Sequence, residues 1–183
     1  MSSSTIYRVY GSKVRALCDL RNSWGTAPPL WDMLGYRFLG LDRPVLVAGP
    51  DAMQALWSLA LNQRVPEHLR ITFAFTLDRS VILQRDVKEA AKAFHATHAE
   101  ILAEPPRQSR YSDEPTGPWT WTHWPAIAKA ITSTKPLTHQ VGWGLTCTSV
   151  SDVWNAWQEA KGQPAAFDAL TYVRTCDTEA ARV

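Results

Sequence analysis

Apolar positions along this chain fall into short runs, and their spacing switches repeatedly between the two-residue period of a strand and the 3.6-residue period of a helix. Residues 5–10 (TIYRVY) alternate and are rich in β-branched and aromatic side chains, which predicts a first strand. Ser12 is placed to cap a helix reaching Asn22, with Val14, Leu17 and Cys18 on one side and Gly25 as its stop. Thr26 caps a second helix, which tolerates Pro28 and Pro29 in its first turn and buries Leu30, Trp31, Leu34 and Phe38 before Gly40. Residues 44–48 (PVLVA) read as a short buried strand. Asp51 with Gln54 resembles a capping box and opens a helix whose inner stripe is Met53, Leu56, Trp57, Ala60 and Leu61.

The middle of the chain reads more simply. Residues 71–77 (ITFAFTL) predict a strand, and residues 80–84 (SVILQ) a second one turned back on it as a hairpin. Asp86 then caps a long helix to about Ala103, with Val87, Ala90, Ala91, Phe94, His98 and Ile101 at helical spacing. Residues 104–118 hold four prolines and little apolar content, and predict an exposed excursion from the domain. After the run Trp119–Trp124 come a short helix from Pro125, a strand at 141–148, a helix at 151–162 carrying Trp154 and Trp157, a strand at 167–175 and a frayed tail at 176–183. The expected fold class is α+β: one domain over residues 1–183, with a short mixed or antiparallel sheet and helices packed on at least one face.

Composition narrows the class without naming a function. A chain of 183 residues with 45% hydrophobic and 20% charged residues has ordinary globular composition, so a disordered chain or a coiled-coil rod is excluded. No apolar run approaches the roughly 20 residues that span a bilayer, and the start has no apolar signal region, so a cytoplasmic protein is expected. The three cysteines, Cys18, Cys147 and Cys176, are odd in number and far apart, which fits reduced thiols. Net charge is +2, but residues 1–92 carry 12 Lys/Arg against 8 Asp/Glu and residues 93–183 carry 7 against 9. The nine tryptophans are the one unusual count, and they direct attention to aromatic surfaces.

Motifs with a built-in mechanism are missing from the sequence. It has no phosphate-binding GxxxxGK(S/T) loop, dinucleotide-binding GxGxxG turn, GxSxG elbow, HExxH helix or paired CxxC knuckles. Cys176 and Arg182 have the spacing of a phosphatase loop, but Asp177 and Glu179 between them would repel phosphate and no glycine lets the amides close round it. Asp113 and Glu114 sit in the proline-rich excursion, which lacks the fixed geometry that acid–base catalysis needs. His95 and His98 have a spacing two metal ligands could share, with His139, Asp168 or Cys147 as a third; the competing reading makes His98 a hydrogen-bonded histidine at the core edge.

Two surfaces remain. Trp119, Trp121 and Trp124 follow the excursion, and in a strand Trp119 and Trp121 would share a face, forming either a lid on the sheet or an exposed platform. With Arg107, Arg110 and Tyr111 at the rim, that platform would bind a protein or ribonucleoprotein complex by occlusion and without a cofactor. One concrete version is a phage or mobile-element inhibitor of host defence, such as an anti-CRISPR protein. The alternative surface is basic: Arg8, Lys13, Arg15 and Arg21 would bind nucleic acid. A third reading is an enzyme using an unrecognised His or Cys site.

Overall fold

The computed structural model describes residues 3–10, 13–21, 25–77, 80–108, 115–116, 119–133, 140–145 and 167–180. The alternating N-terminal run forms β1 (Ser3–Tyr10). Its antiparallel partner is β2 (Lys13–Arg21), where the sequence reading places a helix. A bulge explains the error. Ile6 pairs with Cys18 and Tyr7 with Ala16, which leaves Leu17 as an extra residue. One inserted residue breaks the two-residue alternation, so Val14, Leu17 and Cys18 imitate helical spacing.

The second expected helix is α1 (Ala27–Phe38), with proline in its first turn. Leu30, Met33 and Leu34 are buried, while Trp31 packs at the edge and donates its indole N–H to Thr76 Oγ1 at 2.9 Å. The strand expected at 44–48 is instead a single helical turn, α2 (Val45–Ala48). Buried Asp32 of α1 accepts the Val45 N–H at 3.1 Å, giving a helix-start amide the anionic partner it favours. Gly49, at φ +101°, then turns the chain into α3 (Pro50–Ser58), a backbone angle that a side chain would strain. The inner stripe of α3 is narrow, made of Ala52 and Leu56. Trp57 follows Leu56 by one residue, about 100° round the helix, and is 58% exposed rather than buried.

Residues 71–77 are the largest departure from the sequence reading. They belong to α4 (Glu67–Phe75), which follows Pro66 and buries every residue from Leu69 to Phe75. A helix buried on all sides shows no solvent face from which to read a period, so its run of β-branched and aromatic residues imitates a buried strand. It packs against α5 (Val87–Leu102), the long helix that the sequence predicts correctly. Thr72 and Thr97 join their hydroxyls across that seam at 2.8 Å, both fully buried. Within the proline-rich stretch, two short segments pair, β4 (Arg107–Gln108) and β5 (Pro115–Thr116). Its first residue, Glu104, is buried and bound to Arg37, so the excursion begins anchored.

The chain re-enters through α6 (Trp124–Thr132), then β6 (Gln140–Leu145) and the two-residue β7 (Phe167–Asp168). The expected final strand ends there, because residues 169–180 form α7 (Ala169–Ala180). Asp168 sets this start: its Oδ2 accepts the Thr171 backbone N–H at 2.9 Å and the Thr171 hydroxyl at 2.6 Å. Helix α7 runs to Ala180, through most of the tail read as frayed. Strand β3 (Ser80–Leu83) forms as expected but makes no hairpin with residues 71–77. It pairs antiparallel with β6 and parallel with β7, and β6 pairs with β1, giving the order β2-β1-β6-β3-β7.

Together these elements make a helix-rich single domain. One apolar cluster joins Ile6 and Leu20 of the hairpin to Leu30 and Leu34 of α1, Phe73 and Phe75 of α4, Phe94 of α5, Ile127 of α6 and Leu170 and Val173 of α7. The helix expected at 151–162, with Trp154 and Trp157, lies outside the described residues. Among the described residues, no helix is long and apolar enough to cross a membrane.

Candidate interaction surface

The three tryptophans that follow the excursion separate completely. Residues 119–123 form no strand, so Trp119 and Trp121 do not share a strand face. Trp124 opens α6 and is fully buried. Its ring lies 5.0 Å from that of Phe94, which in turn lies 5.4 Å from Phe75. This corrects the assignment of Trp124 to a partner surface: the indole fills the α4–α5–α6 core, where burying a large ring gains most. Trp119 is partly buried against the same core. Trp121 is the one of the three that is exposed, at 42%.

Two ring contacts and a backbone tether hold Trp121 in place. His123 donates its backbone N–H to the Gly25 carbonyl at 2.8 Å, tying the segment to the entry of α1. Gly25 lies under the indole so closely that a Cβ there would stand 2.1 Å from Trp121 Cζ3. Glycine is required at that position because the ring rests on its backbone. The His123 ring meets Trp121 edge-on, with centroids 5.1 Å apart and planes at 74°. The sequence reading missed Gly25 in this role and took it only as a helix stop.

Thr122 anchors the segment from below. It is buried, its Oγ1 accepts the Trp124 backbone N–H at 3.2 Å, and it bonds His98 Nδ1 at 2.9 Å. A neutral His98 suits this arrangement, since the threonine hydroxyl can donate to Nδ1 while accepting from Trp124. Burial, with a smaller push from the charge of His95, holds His98 below its ordinary range. His98 is therefore a partly buried, hydrogen-bonded histidine, as the core-edge reading expected, and ties Thr122 to α5, while His95 is exposed. Among the described residues, no group of three His, Cys, Asp or Glu side chains could hold a metal. Asp168 spends its carboxylate on the start of α7 and on the Leu83 N–H, and His139 and Cys147 lie outside the described residues.

Of the other rim residues, Arg107 is placed by its backbone in β4, opposite Thr116, and Arg110 and Tyr111 lie outside the described residues. The basic cluster is divided by the sheet. Register sets Arg15 opposite Arg8 and Lys13 opposite Tyr10, positions on one face of the hairpin. Arg21 is opposite Ser3, on the other face, so the four cations do not form one surface. The other exposed large apolar side chains among the described residues are Leu46 and Val47 of α2 and Trp57 of α3. Compared with known proteins, the chain matches no family model, no curated protein and no solved structure.

Proposed function

We propose that this domain, of α+β class, is a non-enzymatic interaction protein that grips a macromolecular partner through Trp121 and occludes part of it. One observation carries the reading: an exposed indole is seated on Gly25 at the entry of α1 and met at its edge by His123 of its own loop. Exposed tryptophans cost little entropy to bury when already fixed, and they dominate the energetics of many interfaces. The partner in this reading is a protein or ribonucleoprotein complex with an apolar pocket of indole size.

Co-purification from the native host tests it. Wild-type protein should retrieve a single partner or complex, and Trp121→Ala should lose it while keeping its thermal transition. Trp57→Ala is the control, since Trp57 is more exposed but carries no such clamp among the described residues. A partner lost in the Trp57 variant and kept in the Trp121 variant would move the interface to the α2–α3 side.

A further inference from the structure

Helix α3 carries a wider apolar face than its own domain covers. Its spacing predicts an inner stripe of Met53, Leu56, Trp57, Ala60 and Leu61, yet of these only Leu56 and Ala60 are fully buried. At about 100° per residue, Pro50, Met53 and Trp57 fall together on one flank of the buried line through Ala52 and Leu56. Their i, i+3, i+7 spacing is the rhythm of a helix that packs on another helix. Pro50 and Trp57 are exposed and Met53 is partly so. Asp51, Ala55 and Ser58 occupy the opposite flank.

Composition points the same way. Between Arg43 and Arg64, twenty residues contain one charged side chain, Asp51, where the chain's 20% charged content would place four. That stretch holds three of the four exposed large apolar side chains among the described residues: Leu46 at 48%, Val47 at 53% and Trp57 at 58%. Leu46 and Val47 belong to α2, which Gly49 joins directly to α3 and which packs on it. The three leave on the order of 300 Å² uncovered per copy, so two copies supply about 600 Å², close to the apolar share of a specific interface of about 1,200 Å².

Exposed surface that bears tryptophan and almost no charge has the make-up of an interface centre. Its neutrality selects the occupant. Such a surface does not repel its own image, and it offers a charged partner nothing to match. Membrane-surface helices line their polar flank with Lys or Arg, whereas this flank offers Asp51, Ala55 and Ser58.

We propose that two copies of the chain form a two-fold dimer through α3, with the helices antiparallel. About an axis between Met53 and Gln54, Trp57 of each copy meets Pro50 of the other, and the two Met53 side chains meet near the axis, where an adaptable thioether fills irregular space. The antiparallel arrangement sets the two Asp51 carboxylates at opposite ends of the contact. None of the residues that hold Trp121 takes part, so failure of the dimer leaves the interaction reading standing.

Sedimentation velocity of the full chain tests it, from about 1 µM to about 300 µM protein. Wild-type protein should pass from the one-chain to the two-chain species within that range. Trp57→Glu should remain at one chain throughout and keep its thermal transition, because the side chain it replaces is already exposed. Pro50→Glu, at the other end of the flank, keeps a favourable acid in the first turn of the helix and should weaken the dimer at least roughly tenfold. Trp121→Ala should dimerise as wild type does. Wild type at one-chain mass over the whole range, with or without co-flotation on anionic lipid vesicles, would overturn the dimer. So would a two-chain species undiminished in either α3 variant, or one lost in folded Trp121→Ala.

Discussion

At the scale of single residues, neighbouring tryptophans sit in opposite environments. Trp124 is fully buried with its ring against Phe94, so Trp124→Ala should destabilise the domain by about 3–5 kcal/mol in denaturant unfolding. Trp121→Ala, three residues earlier, should leave the same curve within about 1 kcal/mol, because its ring is already 42% exposed. Gly25→Ala is the complementary change. The new methyl cannot coexist with the indole 2.1 Å away, so Trp121 must leave its seat, and iodide quenching of tryptophan fluorescence should increase. His98 gives a pH signature. Its folded form resists protonation, so as pH falls below its ordinary value of 6.5 the unfolded chain takes up a proton first. Its contribution to stability is complete above that value and is lost as pH falls towards the lower folded value. The melting temperature should therefore fall on acidification, and His98→Gln should flatten that part of the profile.

At the scale of elements, charged side chains stitch the helices at their ends. Glu100 of α5 binds both Arg37 of α1 and His68 of α4, while Glu104 takes the other side of Arg37. Arg174 of α7 likewise binds Glu67 of α4, at 2.8 Å, and Glu89 of α5. These groups are partly exposed, so Glu100→Ala should cost only about 1 kcal/mol by chemical denaturation. The sequence showed α1, α5 and β1 because each has a clear apolar stripe or alternation, and α3 although its stripe is narrow and Trp57 faces solvent. It misread α4, since a helix buried all round has no polar face to set its period. It misread β2 because the extra Leu17 shifts the alternation, and α7 because Leu170, Tyr172 and Val173 suit a strand until Asp168 and Thr171 are seen to cap a helix. Trp121 was legible as a candidate, whereas Gly25 was not: nothing in one chain segment shows that a ring 96 positions later will rest on it.

At the scale of the whole molecule, the two tethers of the surface loop come from distant parts of the sequence, Gly25 at the entry of α1 and His98 on α5. Folding the helix-rich domain is therefore what builds the platform, and the exposed indole arrives already fixed. Preorganisation of that kind makes the affinity sensitive to the ring itself more than to the surrounding area. The deciding measurement is the dissociation constant of the retrieved partner for wild-type protein, Trp121→Ala and Trp57→Ala, taken under one buffer. The account predicts at least a roughly thirtyfold weakening for Trp121→Ala, the scale of an interface hot spot, and no change for Trp57→Ala. Equal affinities for Trp121→Ala and wild type, with both folded, would contradict it.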